Sequence, residues 1–253
     1  MKRIITLTTD FGLNDYYVGA MKGVILSINP DAKIIDITHA IPKYDVIKAA
    51  FTAQNICPYF PKETIHIVVV DPGVGSERKP IVVHSEQGVF IGPDNGVFSF
   101  IYKSSKEVSI REITNVEYML EERSNTFHGR DIFAPAAAHI SLGADINEFG
   151  VGIESPVLLD FPEPTISENV IIGEVIYTDS FGNLITNIPG DMINGSSEIH
   201  IDEFVIDSVA SSYQDVEKGE LLSIIGSSGF LEISVNRGSA SELIKDYRVT
   251  VLK

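Results

Sequence analysis

The chain has 253 residues, 44% of them hydrophobic and 21% charged, enough apolar material for one or two packed domains. Its formal net charge of −16 argues against nonspecific binding to nucleic acid or anionic membranes; it modestly suits a cationic small ligand and keeps the surface soluble. No apolar run approaches ~18 residues, so no transmembrane helix is expected, and the single cysteine, Cys57, supports neither a disulfide framework nor a cysteine-rich zinc site, so the expected location is the cytoplasm.

The first elements alternate in period. "RIITLTTD", which reads as a first strand rather than a signal peptide, "KIIDIT" and "TIHIVVVD" are short β-branched runs suited to strands buried on both faces. Between the first two, "NDYYVGAMKGVILSINP" places Tyr17, Met21, Val24, Ile25 and Ile28 at helical spacing, with Asn14 positioned to cap the helix. Between the next two, "YDVIKAAFTAQNICPYFP" is a second helix pattern, closed by Pro58 and Pro61. Strand, helix, strand, helix, strand predicts a parallel sheet with helices on both faces. After Asp71 the pattern changes. "PIVVHSEQGVFIGPDNG" predicts a hairpin, and "GRDIFAPAAAHISLG" a short helix ending at Gly143.

"SPVLLDFPEPTISEN" holds three prolines and reads as a linker. Beyond it helix patterns nearly vanish. "NVIIGEVIYTDSFGNLITNI", "SEIHI", "FVIDSVASSY", "ELLSIIGSSGFLEISVN" and "YRVTVLK" are strand-like with turn signals between them, and "SASELI" adds one helical turn. The expected fold is α/β: an N-terminal domain over 1–155 with a largely parallel central sheet, a linker over 156–168, and a smaller all-β, barrel-like C-terminal domain over 169–253.

Asp10, in "TTDFGLND", ends the first predicted strand. Its Asp-Phe-Gly lacks every other part of a kinase: no Gly-rich phosphate loop, "VAIK" lysine or "HRD" loop accompanies it, and no Walker A pattern occurs. Ligands of open α/β sheets sit outside the carboxyl ends of strands, so Asp10 suits a ribose diol or, equally, a helix cap. Asp71, in "VVVDPGVGSERK", ends another strand and faces the same crevice; Pro72, Gly73 and Gly75 make a tight turn, and Arg78 lies within reach of Asp71. "NTFHGRDIFAP" sets His128 in a Gly-flanked loop, where it can accept, donate or shuttle a proton. No HxH, HExxH or paired Cys/His spacing points to a metal. In the second domain "YTDSFGNLITN" brings together Asp179, Phe181 and Asn183. They form either a plain β-turn or a site for a flat heterocycle, with Phe181 stacking and Asn183 pairing with its edge. "GSSGFLEISVNRGSA" offers Ser227, Ser228, Glu232, Asn236 and Arg237 in one hairpin.

Taken in order, "TDFG", "DPGVGSER", "GPDNG", "TFHGRDIFAP", "DSFGNLITNI" and "SSGFLEISVNRGSA" cover almost the whole chain. In them the chain resembles the S-adenosyl-L-methionine (SAM) hydroxide adenosyltransferases, or SAM hydrolases, relatives of the fluorinating and chlorinating enzymes that use the same substrate. The resemblance implies that SAM and water give adenosine and L-methionine, without metal or other cofactor. It also implies a homotrimer, each site lying between the N-domain of one subunit and the C-domain of the next. Asp10 then resembles the ribose-diol ligand rather than a metal ligand, and Asp71, Arg78 and His128 the water-handling triad. Phe127 would line the reacting-carbon pocket. Phe181 and Asn183, helped by the backbone near Val235, would hold adenine. Asp179 and Ser227 would hold the amino-acid end, with Glu232 and Arg237 as further candidates. The halogenating relatives carry an aromatic residue in place of Asp71 and a serine in place of Gly129, which favours water over halide here. The alternatives are a non-catalytic adenosine- or SAM-binding protein, a SAM-dependent halogenase and a metal-dependent hydrolase.

Overall fold

The computed structural model describes residues 3–252. Contacts divide the chain into two compact units, Met1–Leu159 and Asp160–Lys253. In the first, strands β1 (Ile4–Thr9), β2 (Lys33–Thr38), β3 (Ile65–Val69), β4 (Pro80–Ser85), β5 (Gly88–Pro93) and β6 (Val108–Glu112) form one sheet in the order β2-β1-β3-β5-β4-β6. Pairings β1–β2 and β1–β3 are parallel, as the alternating pattern predicts, and β3–β5 is parallel as well. The β4–β5 connection is only Glu86–Gln87, too short for a crossover, so the sheet turns antiparallel there and at β4–β6.

Helices α1 (Tyr17–Ile28), α2 (Val46–Ile56), α3 (Ser99–Ser104) and α4 (Ala134–Ser141) accompany the sheet. Val18, Met21 and Ile25 are the buried face of α1, and Met21 and Ile25 join Ile5, Leu7, Ile67 and Phe133 in the core. The Asn14 cap does not form. Residues 12–16 make an irregular turn, the helix starts at Tyr17, and no side chain caps it. Asp45 does cap α2, accepting from Lys48 N at 2.8 Å. The helix expected after His128 opens with a π-type turn over Gly129–Phe133 before α4. Such turns change which side chains a helix start presents, and they recur at functional sites. Patterning marks neither α3 nor β6. Val157 N and Leu159 N, in the proline-rich stretch, donate to Asp94 Oδ1 (2.9 Å) and Ser99 Oγ (2.8 Å).

His66, on β3, is 2% exposed. Its Nδ1 shares a 2.9 Å hydrogen bond with Thr6 Oγ1, its ring stacks on Phe90, and Nε2 has no partner. Burial pushes its pKa down to about 4. The folded protein holds this group neutral while the unfolded chain protonates it near its ordinary value. Its stability contribution is therefore complete above about pH 6.5 and lost as pH falls towards about 4. Between about pH 7 and pH 5 this amounts to about 2 kcal/mol. Thermal melts across that range should show a smaller fall in midpoint for His66→Phe than for the wild type; equal falls would place the acid sensitivity elsewhere.

In the second unit, β7 (Thr165–Ile166), β8 (Val170–Thr178), β9 (Leu184–Pro189), β10 (Glu198–Ile201), β11 (Phe204–Ile206), β12 (Val209–Ala210), β13 (Leu221–Ile225), β14 (Phe230–Val235) and β15 (Arg248–Leu252) form a nearly closed, barrel-like sheet. The order is β11-β10-β15-β8-β9-β14-β13-β12, with β7 on β8, and α5 (Ala240–Leu243) is the expected helical turn. Besides β7, strand β8 serves two neighbours in turn: Val170–Glu174 pair with β15, and from Val175 onward it pairs with β9. Just before the change of partner stands Gly173, where a Cβ would meet Asn187 Oδ1 at 2.3 Å. Alternate residues of the strands, among them Ile199, Ile201, Leu231, Ile233, Val249 and Val251, fill the interior. Among the described residues no helix is long and apolar enough to cross a membrane.

Candidate active site

The carboxyl ends of β1 and β3 open onto a cavity of about 500 Å³, within the range for a small-molecule site. All its lining residues belong to the N-terminal unit. Asp10, Asp71, Phe127 and His128 are all in its wall, so candidates from three widely separated segments converge. Asp10 Oδ2 accepts from Tyr44 N at 2.9 Å, with Tyr44 held at φ 69°. The Asp10 loop is further set by Thr9, whose Oγ1 accepts from Phe11 N (3.2 Å) and shares a 2.9 Å hydrogen bond with His39 Nδ1.

Asp71 and Arg78 form a buried pair, 6% and 8% exposed in their side chains. Arg78 Nε donates to both carboxylate oxygens at 2.9 Å, Nη2 donates to Oδ2, and Nη2 also meets His128 Nδ1 at 2.9 Å. Because the guanidinium only donates, His128 Nδ1 must accept, which assigns the neutral ring proton to Nε2. Burial, followed by the Arg78 charge, holds the His128 pKa below its ordinary value; Asp71 and Asp131 act in the opposite sense. The Arg78 guanidinium also lies 5.3 Å from the Phe133 ring centroid, and its Nη1 is buried without a protein partner. The turn carrying this pair depends on Gly75, at φ 77°, where a Cβ would meet Asn125 O at 2.3 Å. That close approach docks the Asp71–Arg78 turn on the loop that bears His128.

Further aromatic rings, assigned no site role from the motifs, complete the wall around Phe127. Phe11 and Tyr17 contact it and one another at centroid distances of 5.1–5.8 Å, and Tyr16 and Tyr44 stand at the rim. The signal was present in "DYY", but helical spacing explained it first. Gly129 lies against this cluster: a Cβ would meet Met21 Sδ and Phe127 Cε2 at 3.3 Å each.

In the second unit Asp179, Phe181 and Asn183 share the β8–β9 turn. Asp179 Oδ1 accepts from Phe181 N and Asn183 N, and Oδ2 from Asn183 Nδ2, each at 2.9 Å. Asp179 therefore shapes its own turn. That turn leaves Phe181 76% exposed and Asn183 Oδ1 free of the Asp179 contact. Gly182 packs on Ser239, and Ser241 N donates to Gly182 O at 3.0 Å, so the segment after β14 lies beside this turn. Val235 ends β14 and is buried, Arg237 follows at φ 57° and is exposed, and Ser227 lies between β13 and β14. Glu232, on the face of β14 opposite Leu231 and Ile233, is buried and committed within the protein: Oε1 accepts from Tyr213 Oη and Ser234 Oγ at 2.7 Å each. Tyr213 is an addition to the sequence-based set. Burial, then Glu232, pushes its pKa up to about 12, and Asp179 adds to the rise. Among the described residues no group of three or more His, Cys, Asp or Glu side chains is gathered to hold a metal ion.

Residues 5–150 match the SAM hydroxide adenosyltransferase N-terminal domain and residues 173–246 its C-terminal domain. The (R)-S-adenosyl-L-methionine hydrolase of Methanocaldococcus jannaschii is 38% identical over 260 residues, covering 96% of this chain and 93% of that one. The crystal structure of an uncharacterized conserved protein from Thermotoga maritima superposes with a TM-score of 0.92 at 39% identity, covering 99% and 100% of the two chains. A fluorinase from Actinoplanes sp. is more distant, at 26% identity over 212 residues, 73% of this chain and 71% of that one. With both domains matched along nearly its whole length, the chain belongs to the SAM hydroxide adenosyltransferase family.

Proposed function

We infer that the protein hydrolyses SAM to adenosine and L-methionine. The observation that carries this is the Asp71–Arg78–His128 hydrogen-bonded chain in the wall of a cavity that also holds Asp10, in a member of this family. The substrate is a sulfonium, so its thioether leaves neutral and needs no acid. What the reaction needs is a water held in line with ribose C5′ and relieved of a proton. In this reading Asp71 is the base. Its carboxylate has about four lone-pair sites, of which Arg78 takes three. His128 Nδ1 is committed to Arg78, so His128 orients rather than abstracts. General-base help is worth ~10²–10⁴-fold, and in-line positioning up to ~7–11 kcal/mol in ideal cases.

Water is favoured over halide for two reasons. A carboxylate at the nucleophile's place repels an anion. At Gly129 the Cβ of a serine would sit 3.3 Å from Met21 Sδ and Phe127 Cε2, so those side chains would have to give by a few tenths of an ångström. Asp10 receives the ribose diol, with Oδ1 free of the Tyr44 contact. Phe181 stacks on adenine and Asn183 pairs with its edge, near Val235; Ser227, Asp179 and Arg237 serve the methionine end. Glu232, with its carboxylate turned to Tyr213 and Ser234, supports that region from beneath. The relatives' names specify the (R) form of the substrate, and we carry that preference over to this chain.

The assembly in this reading is a homotrimer, with each site completed by a neighbouring subunit. The supporting observation is that adenine- and methionine-directed candidates all lie in Asp160–Lys253 while the cavity wall lies in Met1–Leu159. Light scattering should give about three times the 27.7 kDa chain mass. The enzyme works in the cytoplasm, where its substrate is made, and without a metal.

The function is tested by incubating the protein with SAM in H₂¹⁸O, with and without chloride and EDTA. Adenosine carrying ¹⁸O, together with methionine and with no effect of EDTA, is expected. Tight SAM binding without turnover would instead identify a binding protein, and 5′-chloro-5′-deoxyadenosine a halogenase. Asn183→Ala should weaken adenosine and SAM binding alike, by about tenfold, from the loss of one or two hydrogen bonds. Unchanged affinities in calorimetry would remove Asn183 from the adenine site.

A further inference from the structure

Asp131 lies in the same motif as His128 but does not line the cavity, and its side chain is fully buried, at 0% exposure. A carboxylate in such a place is costly unless its oxygens are satisfied, and charge-assisted hydrogen bonds are the means. Here Oδ2 accepts from Ser124 N (2.8 Å) and Ser124 Oγ (3.0 Å), and Oδ1 accepts from Arg130 Nε (2.6 Å). Its main-chain oxygen accepts from Leu120 N at 2.9 Å. Ser124 Oγ passes the constraint on by accepting from Phe127 N at 3.1 Å. Arg130 does so by resting its guanidinium 5.1 Å from the Phe127 ring centroid. The segment from Ser124 to Arg130 is thus pinned at both ends and in the middle, and it carries Phe127 and His128.

We propose that Asp131 is the positioning residue of the active site, tying Ser124 to Arg130 so that His128 Nδ1 stays on Arg78 and the Phe127 ring stays in the cavity wall. The proposal rests on the hydrolase reading above. Asp131 touches neither substrate nor water; it acts through the loop. A displacement of about 1 Å in a reacting constellation costs ~10²-fold, and the Asp131 contacts hold the loop to that tolerance. The charged groups facing His128 are Arg78, Asp71 and Asp131. Burial and the Arg78 charge, which favour the neutral ring, outweigh Asp71 and Asp131, which favour the protonated one, so a loop released from Arg78 lets the His128 pKa rise back towards its ordinary value.

Asp131→Asn keeps the shape but presents a donor to Ser124 N or to Arg130 Nε, whichever way the amide turns. The expected result is a kcat for SAM lowered ~10²-fold with adenosine affinity within about threefold of wild type. The acid limb of kcat, and the His128 ring titration followed by NMR, should both move to higher pH, because the ring loses the burial and the Arg78 contact that hold it neutral. The NMR readout does not depend on turnover. A wild-type protein that fails to turn over SAM would therefore sink the hydrolase reading alone. Wild-type turnover with an unaltered Asp131→Asn kcat and an unmoved His128 titration would overturn the positioning role. Should Asp131→Asn not fold, Ser124→Ala removes the link to Phe127 N. A kcat loss of ~10-fold or more is then expected, and an unchanged kcat overturns the proposal.

Discussion

Asp71→Asn is expected to lower kcat for SAM hydrolysis by ~10²–10⁴-fold while leaving adenosine affinity within about threefold. The substitution keeps the side-chain shape and removes the group that takes the proton. His128 is not poised to replace it. The His128 Nδ1 lone pair is occupied by Arg78, and its Nε2 carries a proton in the neutral ring. The leaving thioether makes no demand for an acid, so loss of the base is not offset by protonation elsewhere. His128→Ala should also cost ~10²-fold or more, through orientation. Steady-state rates set beside calorimetric adenosine binding separate the two effects. A variant Asp71→Asn with wild-type kcat would show that the proton leaves by another route.

Arg78→Met should lose both activity and stability, with a thermal midpoint lower by about 10 °C. The Asp71 carboxylate, 6% exposed, would be left buried without its cation. Breaking a buried pair from one side costs about 3–5 kcal/mol, which for a chain of this size corresponds to a shift of that order. Arg78→Lys should recover part of the midpoint but little of kcat. The planar guanidinium spans both carboxylate oxygens and His128 Nδ1 at once and lies against the Phe133 ring; a point-like ammonium does not reproduce that fork. Melting curves and rates on both variants check this. If Arg78→Met melts with the wild type, the pair contributes nothing to the stability of the fold.

The two architectures were legible because their signals are local. Period-2 runs, helical spacing and turn residues lie within ten or so neighbours of one another, and each expected strand of the C-terminal unit appears. Asn14 shows the limit: a capping residue type does not fix where a helix starts when the preceding turn is shaped by contacts with other segments.

By itself the sequence determined the α/β and barrel-like units, the family, and the candidates Asp10, Asp71, Arg78 and His128. Strand ends and glycine-marked loops are written in consecutive residues. Only the tertiary structure decided how each polar group is used. Asp71 and His128 share one guanidinium, with Arg78 and His128 lying 50 residues apart. Asp179 folds its own turn, Glu232 faces Tyr213, and Asp131 braces the histidine loop. Whether a carboxylate is free for a ligand or committed within the protein depends on which donors arrive within about 3 Å of it. Those donors come from chain segments that no local pattern brings together.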